Sequence, residues 1–245
     1  MVAVSSIDTE RFGVLTARDP QVTAETLHDT LRFCRDHRVR MLVARCAAED
    51  LAAAQGIEAA GGRLMDVLVY WARRLDRPGP DDEARVPVRA AAPADVDDVR
   101  RVAAEAFRGY MGHYHADPRL DRETCDAVYA SWAERSCVDP AVASKVLVAE
   151  HGGRIAGFLT LLERGREEQE IILNGVEPAS QRHGIYRSLV LAAMAHARAD
   201  GAGLLTVSTQ LVNVGVQKTW ARLGFELSRS HFTFHVWFDE AGGTA

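Results

Sequence analysis

The stretch NGVEPASQRHGIYRSLVLAAM, residues 174–194, constrains the fold more than any other part of this 245-residue chain. An apolar run ends at Val176, polar residues and Gly184 follow, and an apolar segment of helical length then begins. This order predicts a strand, a short loop and a helix. A helix N-terminus has unpaired backbone N–H groups and a partial positive charge, so such a junction can bind an anion.

The loop composition is compatible with a phosphate site at this junction. Gly184 has no Cβ and lets the backbone approach a ligand closely, while Arg182, His183 and Arg187 add positive character. The sequence contains neither the GK[ST] of a P-loop nor a GxGxxG dinucleotide fingerprint. From these residues alone, an ordinary capped helix with a turn glycine is an equal alternative.

Composition excludes several functional classes. The formal charge of −5 gives no basic footprint for nucleic acid and no polybasic membrane signal. The four cysteines (Cys34, Cys46, Cys125, Cys137) are far apart and form no CxxC pair, which predicts buried thiols in a reducing compartment and neither a disulfide frame nor a zinc site. No apolar run approaches the roughly 18 residues of a membrane span, and the first residues do not resemble a signal peptide. We therefore expect a cytoplasmic protein without a metal.

A break between two domains is expected near residue 82. Residues 78–80 (PGP) interrupt regular structure, and residues 81–83 (DDE) keep the segment solvated. The sequence thus predicts a smaller domain over residues 1–82 and a larger one over 83–245.

Strand and helix patterns alternate through the larger domain. They are strand VPVRAA, helix PADVDDVRRVAAEAF, loop RGYMGHYHADPRLD, helix ETCDAVYASWAERS, hairpin KVLVAEHGGRIAGFLTLLER, strand EEQEIILNGV, helix 181–199, strand LLTVSTQ, helix NVGVQKTWARLG and strand SHFTFHVWF. This α+β order predicts a mixed, mainly antiparallel sheet with helices on its faces.

The smaller domain weakly repeats the second half of the larger one. Asp50 and Asn213 differ by 163 positions (213 − 50), and so do Gly61 and Gly224 (224 − 61). At that offset four elements keep their order and spacing, although few residues are identical and chance similarity is the alternative. We interpret the smaller domain as a degenerate half-domain that lacks the junction motif and has kept a packing role.

Two motifs resemble those of the GCN5-related N-acetyltransferases, the GNAT superfamily. VEPASQRHGIY is similar to the acetyl-CoA-binding motif Q/R-x-x-G-x-G/A after V-x-P, with Gln181 and Gly184 in register and Tyr186 in place of the small third residue. NVGVQKTWARLGF is similar to the family helix N-x-x-A-x-x-x-Y-x-x-x-GF, with Asn213 in register and Trp220 at the tyrosine position.

The resemblance implies a GNAT fold from residue 86 to 238, preceded by a partial GNAT-like domain, with acetyl-CoA as the acyl donor. It also implies that the Asn174 backbone N–H donates to the oxyanion, at a point where the strand separates from its neighbour. The implied acyl-CoA contacts are Val176, Gln181, Arg182, His183, Gly184, Ile185, Tyr186, Arg187, Asn213 and Trp220.

A looser resemblance covers more of the chain. The incomplete N-terminal half and the segments VSTQLVN, GHYHADPRL and SWAERS are similar to dTDP-fucosamine N-acetyltransferase-like amino-sugar acetyltransferases. This implies that the acceptor is the amine of a nucleotide-linked sugar of the dTDP-4-amino-4,6-dideoxyhexose type. Candidates for contacting the acceptor are Tyr110, Tyr114, Trp132, Gln210, Thr233 and His235. For the aromatic residues the alternative is a place in the core, and for Thr233 and His235 it is a half-exposed strand with its polar face in water.

In the implied reaction the amine attacks the thioester directly, which requires a base, an oxyanion donor and a donor to the leaving thiolate. Glu170, eleven residues before Gln181, is the first candidate base, and His113 and His115 are further candidates. A charged strand end and two exposed loop histidines are the respective alternatives. Because an indole N–H cannot release a proton, either CoA leaves as a stabilised thiolate or Tyr186 or another group replaces the family's tyrosine at Trp220.

Alternative functions stay open on the sequence. One keeps acetyl-CoA and changes the acceptor to an antibiotic amine, a polyamine or a protein amine. Another is a non-catalytic acyl-CoA-binding protein, which the tryptophan at position 220 would suit. A homodimer that pairs the apolar final strand FTFHVWF between subunits is a further expectation.

Overall fold

The computed structural model describes residues 1–77 and 84–238, which divide into two compact units. Unit 1 comprises Met1–Val69, Met111–Thr124 and the described part of residues 229–245, and unit 2 comprises Tyr70–Tyr110 and Cys125–Ser228. The boundary predicted near residue 82 lies outside the described residues. In the described ranges, no helix is long and apolar enough to cross a membrane.

Unit 1 contains a sheet in the order β1-β2-β3-β10. Pairing is antiparallel for β1–β2 and β3–β10 and parallel for β2–β3. Because β3 occupies one edge of β10 from His231 to Trp237, that edge is not available for the expected pairing between subunits. The elements are β1 (Ala3–Val4), α1 (Ser6–Phe12), β2 (Thr16–Asp19), α2 (Leu27–Asp36), β3 (Met41–Ala47), α3 (Leu51–Ala59) and the unit 1 portions of β4 (Arg63–Arg74) and β10 (Glu226–Trp237).

Unit 2 contains strands in the order β4-β9-β8-β7-β6-β5. Neighbours from β5 to β8 are antiparallel and β8–β9 is parallel, which confirms the predicted mixed, mainly antiparallel sheet. The further elements are β5 (Val88–Ala90), α4 (Val96–Ala106), α5 (Arg122–Val138), β6 (Lys145–His151), β7 (Arg154–Glu163), β8 (Glu168–Val176), α6 (Ile185–Ala199), β9 (Leu204–Gln210) and α7 (Val214–Arg222).

Two glycines show how helices cover both faces of the unit 2 sheet. A Cβ on Gly157 would lie 2.8 Å from Ile185 and 3.1 Å from Leu189, so α6 packs directly on this face. A Cβ on Gly175 would lie 3.0 Å from Ala106 at the end of α4. Gly157 is opposite Val176 and Gly175 is opposite the next residue, Phe158, so the two glycines face opposite sides of the sheet.

The helix predicted over residues 181–199 begins at Ile185, so its predicted start was wrong. Gln181 is extended, Arg182 has a φ of 68° and Gly184 a φ of 80°. These conformations are incompatible with an α-helix, and they keep the chain in a loop for four more residues.

The half-repeat is reproduced element by element. β3, α3 and β4 begin and end 163 positions before β9, α7 and β10, as for Met41 and Leu204 (204 − 41). The parallel pair β2–β3 also corresponds to the parallel pair β8–β9. This agreement supports the interpretation of the N-terminal part as a partial copy of the same fold.

Candidate functional site

The strand–loop–helix junction has the backbone of an anion site. Arg182 and Gly184 are both left-handed and flank His183, immediately before the first turn of α6. The first backbone hydrogen bond of the helix runs from the Ser188 N–H to the Gly184 carbonyl, at 3.0 Å. The N–H groups of Ile185 and Tyr186 therefore have no acceptor within the helix and are available to an anion.

Buried Glu177 fixes the turn that leads into this junction. Its carboxylate accepts hydrogen bonds from the Ser180 hydroxyl (2.6 Å), Arg154 Nη2 (2.7 Å) and Arg101 Nη1 (3.0 Å), and the residue is 0% exposed. Burial favours a higher pKa, but the hydrogen bonds and the two arginines outweigh it and hold the pKa of Glu177 below its usual value. In the sequence, Glu177 stands only at the variable position of V-x-P, and its partners Arg101 and Arg154 are too distant along the chain to be inferred from the motif.

Arg85 lies over the junction glycine. A Cβ on Gly184 would be 2.8 Å from Arg85 Cδ, so this glycine is needed for close approach as well as for its positive φ. The backbone N–H groups of Arg85 and Val86 donate to Ser188 Oγ at 2.9 and 3.3 Å. Ser188 Oγ in turn donates to the Gly184 carbonyl at 3.1 Å, which ties this segment to the first turn of α6.

A cavity of about 240 Å³ adjoins the junction. It brings together most of the predicted acyl-CoA contacts with Thr219 and Arg222 of α7, two residues that the sequence analysis missed. The lining residues are Val176, Ser180, Gln181, Arg182, Gly184, Ile185, Tyr186, Arg187, Thr219 and Arg222. Three arginines at one cavity next to a helix N-terminus suit a ligand with several negative charges.

The parallel strands β8 and β9 pair over only part of their length. Glu168–Ile171 lie opposite Leu204–Val207, whereas β8 continues to Val176 and β9 to Gln210. Asn174 lies in the part of β8 beyond this pairing, with Leu159 of β7 opposite on its other side. The expected end of the β8–β9 pairing before Asn174 is therefore present.

Trp220 and Tyr186 form a hydrogen-bonded pair. The Trp220 indole N–H donates to Tyr186 Oη at 2.8 Å, and the Trp71 ring lies 6.3 Å from the Trp220 ring. Trp220 is 0% exposed and does not line the cavity, whereas Tyr186 does. Burial raises the pKa of Tyr186 above its usual value, and the Trp220 hydrogen bond acts in the opposite direction.

The other predicted acyl-CoA contacts have local partners. Asn213 precedes α7, but its amide donates to Thr209 Oγ1 at 3.0 Å and makes no capping hydrogen bond. The Gln181 amide points toward the Val176 carbonyl at 3.5 Å, and His183 Nδ1 lies 3.2 Å from the Ser180 carbonyl. These side chains would have to change partners to bind a ligand.

Glu170 lies in the paired part of β8, opposite Thr206 of β9 and Leu162 of β7. Its carboxylate binds Arg164 Nε at 2.6 Å, and its side chain is 16% exposed. A role as base therefore requires either the second carboxylate oxygen or release of Arg164.

Tyr110 and Gln210 also meet in unit 2. The Tyr110 hydroxyl donates to Gln210 Oε1, and the Tyr110 ring packs edge-on against Phe107 and Tyr129. Trp132 is partly buried on α5, and no hydrogen bond or ring contact described here joins it to this pair.

In unit 1, His113 and His235 form a buried chain of hydrogen bonds with Asp117. His113 and His115 are both buried, so the alternative of two exposed loop histidines was wrong. Asp117 Oδ2 lies 2.7 Å from His235 Nδ1 and 2.8 Å from Trp237 Nε1, and His235 Nε2 lies 2.9 Å from His113 Nδ1. Because an ionised Asp117 only accepts, the chain is satisfied when His235 donates from Nδ1 and accepts from His113 at Nε2. Burial and the nearby His235 hold the pKa of His113 well below its usual value.

Tyr114 belongs to a second buried network in unit 1. Its hydroxyl donates to Asp8 Oδ1 at 2.8 Å, and Arg18 binds both partners. Tyr114 is 3% exposed, with its ring 3.9 Å from that of His113. This burial is that of a core residue.

The remaining unit 1 candidates are also buried. Thr233 accepts from Arg45 Nε at 3.3 Å and is 0% exposed. His115 is 6% exposed. Within residues 1–77 and 84–238, no group of three or more His, Cys, Asp or Glu side chains is placed to hold a metal ion.

The chain thus combines a mixed sheet, a parallel strand pair that is paired over only part of its length, and a helix N-terminus suited to an anion. The sequence model of the Acetyltransferase (GNAT) family matches residues 102–225. This match covers half of the chain, so the chain belongs to the GNAT family, which confirms the resemblance seen in the sequence.

Two curated relatives share about a quarter of the aligned residues. The spore coat polysaccharide biosynthesis protein SpsD of Bacillus subtilis (strain 168) is 26% identical over 145 residues, 59% of this chain and 48% of its own length. Mycothiol acetyltransferase of Gordonia bronchialis is 29% identical over 147 residues, 59% of this chain and 44% of its own length. The chain thus matches about half the length of these relatives.

The fold similarity extends through the N-terminal part. A GCN5-related N-acetyltransferase from Sphaerobacter thermophilus superposes with a TM-score of 0.65 at 17% identity. The superposition covers 96% of this chain and 75% of that one. It supports the predicted fold class, a GNAT domain preceded by a smaller related unit.

Proposed function

We propose that the protein transfers an acetyl group from acetyl-CoA to the amine of a nucleotide-linked amino sugar, of the dTDP-4-amino-4,6-dideoxyhexose type. The observation that carries the proposal is the junction before α6, with left-handed Arg182 and Gly184 beside a cavity of about 240 Å³. The N–H groups of Ile185 and Tyr186 would receive the diphosphate of the donor, and the side chains of Arg182, Arg187 and Arg222 would balance its charge.

The part of β8 that extends beyond its pairing with β9 is the proposed binding surface for the rest of the donor. Its backbone at Asn174 and Val176 would pair with the pantetheine arm as a neighbouring strand does. Asn213 would add a side-chain hydrogen bond after leaving Thr209. The Asn174 N–H is the proposed donor to the oxyanion that forms when the amine attacks the thioester carbonyl.

The proposed acceptor is supported by the relative SpsD, whose name places it in polysaccharide biosynthesis. Mycothiol acetyltransferase supports a second candidate, in which the donor is the same and the acceptor is not a nucleotide sugar. Tyr110 and Gln210 are proposed to contact the acceptor in unit 2. For His235, Thr233, Tyr114 and Trp132 an acceptor contact stays a prediction.

Glu170, His113 and His115 remain the candidates for the base. Glu170 shares its carboxylate with Arg164, while His113 has Nδ1 engaged by His235 and its Nε2 left for another partner. A base has to be unprotonated, which is the form that burial favours for His113.

All four cysteines are free thiols, which supports the cytoplasm as the setting.

A thiol-release assay with acetyl-CoA tests the proposal. The acceptor panel contains dTDP-4-amino-4,6-dideoxy sugars, the mycothiol precursor amine, simple amino sugars, polyamines and lysine peptides. We expect turnover with the nucleotide sugars and much less with every other amine. Turnover with the mycothiol precursor alone would select the second candidate, and CoA binding without turnover would favour a protein that holds the donor without using it.

Variants then separate the candidate bases. Glu170→Gln, His113→Ala and His115→Ala are compared through the pH dependence of kcat/KM. We expect the base variant to lose about 10²-fold or more in rate and to lose the acidic limb of the profile. Stability measured by thermal unfolding identifies a variant whose loss is only structural.

A further inference from the structure

We infer that Tyr186, positioned by Trp220, is the hydrogen-bond donor and acid for the sulfur of the departing CoA. The inference rests on the proposed function, because it assigns one step of that reaction. Tyr186 would be a catalytic residue, and Trp220 a positioning residue that acts through it.

The direction of their hydrogen bond carries the argument. An indole nitrogen only donates, so at 2.8 Å Trp220 Nε1 must give its hydrogen to Tyr186 Oη. A lone pair of the phenol oxygen is thereby used, and the phenol hydrogen has to point to a different acceptor. Across residues 1–77 and 84–238, this is the one hydrogen bond described for Oη, so the structure leaves its hydrogen for a ligand.

The position of the two side chains is the second step. Tyr186 lines the cavity beside the junction, and Trp220 lies behind it, completely buried against Trp71. A buried ring held on one side has little rotational freedom, so the Trp220 N–H keeps the phenol in one orientation.

The chemistry balances without a further reactant. The amine nitrogen forms a bond to the carbonyl carbon, the C–S bond breaks, and its electron pair goes to sulfur. Tyr186 Oη–H donates to that sulfur and protonates it, while the proton lost by the amine is returned to the phenolate through the base or solvent. Burial raises the pKa of Tyr186, and the Trp220 N–H offsets part of that rise because its hydrogen bond stabilises the phenolate.

Ionisable groups near Tyr186 affect the transfer of its proton to the sulfur. Tyr110 is the ionisable group that acts on it electrostatically, and it opposes formation of the phenolate. Arg182, Arg187 and Arg222 line the same cavity, and their positive charge favours both a phenolate and a thiolate.

The first test measures the rate of catalysis and, separately, the binding preference for CoA over desulfo-CoA. We expect Tyr186→Phe to lower kcat by about 10²-fold with a smaller change in KM for acetyl-CoA. In equilibrium binding, the wild type should prefer CoA to desulfo-CoA increasingly as pH rises and the thiol ionises. Tyr186→Phe should lose about tenfold of that preference, as expected for a hydrogen bond to a charged group.

A rescue and a control separate this role from simple packing. Trp220→Tyr in the Tyr186→Phe background restores a hydroxyl to the pair, and we expect it to regain part of the lost kcat. Trp220→Phe alone keeps the phenol but frees it, and should lower kcat less than Tyr186→Phe. Tyr70→Phe, in β4, is the matched control for the loss of a phenol hydroxyl and should leave kcat and the preference for CoA over desulfo-CoA unchanged.

Two outcomes are distinguishable. If the wild type transfers acetyl groups and Tyr186→Phe retains both kcat and the preference for CoA over desulfo-CoA, the inference is overturned and the proposed function stands. If the wild type acetylates no amine, the proposed function fails, and the pH-dependent preference for CoA still decides whether Tyr186 donates to the sulfur.

Discussion

Substituting Glu177 by Gln tests whether one buried carboxylate holds the anion-binding junction in place. The change keeps the shape of the side chain and removes the charge that Arg101, Arg154 and Ser180 all contact. One amide oxygen and one amide nitrogen replace two carboxylate oxygens. At least one arginine therefore loses its acceptor, and the amide hydrogens meet donors.

The expected loss of stability follows from how far Glu177 and its two arginine partners are buried. Breaking a fully buried ion pair costs about 3–5 kcal/mol, and a hydrogen bond to a charged group contributes about 1.5–3 kcal/mol. Glu177 is 0% exposed, but the Arg154 and Arg101 side chains are 53% and 31% exposed, so solvent screens much of their interaction. We therefore expect Glu177→Gln to reduce the free energy of unfolding by about 1–2 kcal/mol.

The lowered pKa of Glu177 determines how its contribution to stability changes with pH. The pKa of Glu177 is lowered in the folded protein, so its contribution is complete above the unfolded-state pKa of 4.5 and disappears as pH falls through the folded value. The difference between wild type and Glu177→Gln should therefore be largest at neutral pH and shrink in acid. Urea unfolding across this range, with and without CoA, measures it.

Glu150→Gln is the matched control for this experiment. Glu150 pairs with Arg89 at 2.8 Å, but the two side chains are 46% and 45% exposed, so the expected loss is below about 1 kcal/mol. CoA should bind more weakly to Glu177→Gln and equally well to Glu150→Gln. Equal effects of the two substitutions, or a Glu177→Gln effect that does not change with pH, would refute the reasoning.

Three further predictions concern the junction and the buried chain of unit 1. Gly184→Ala should cost about 1–2 kcal/mol for a left-handed alanine and should weaken CoA binding through the contact with Arg85, whereas Gly201→Ala, with a φ of 85° and open space around it, should show only the stability loss. Arg222→Ala should weaken CoA binding mainly at low salt, and titrations at two salt concentrations should show the two proteins converging as salt rises. Asp117→Asn should cost about 2–3 kcal/mol in unfolding experiments, because His235 and Trp237 share its carboxylate. Hydrogen bonds hold the pKa of Asp117 at about 2 against the effect of burial, so this loss should be full above pH 3.8 and vanish as pH falls toward 2, and a loss that persists at pH 2 would contradict the assignment.

The sequence predicted those features that depend on local pattern. The hairpin at Gly152–Gly153 and the strand LLTVSTQ appear where alternation and glycine placement put them. The start of α6 was missed because Arg182, a residue that rarely adopts positive φ, does so here. No composition rule identifies such a residue before its surroundings are known.

The features that escaped prediction depend on partners distant in the sequence. Glu177 meets Arg101 from 76 positions away and Arg154 from 23 positions away. Asp117 meets His235 from 118 positions away, so an aspartate in a polar loop becomes the end of a buried chain. Periodicity places a side chain on a face of an element, but the fold decides which charged groups then meet.

The two halves of the repeat differ in charge at the position that matters for an anion. Asp19 occupies the place of Arg182 at the offset of 163 positions (182 − 19). Asp19 is buried, accepts from Thr30 Oγ1 of α2 at 2.7 Å and from the Gln21 N–H at 3.3 Å. The first half thus places a carboxylate at the end of β2, which would repel a bound phosphate. The second half has a left-handed arginine there, with open N–H groups after it. The inverted charge therefore disfavours a phosphate at the first junction, where Gln21 also replaces the glycine of the second.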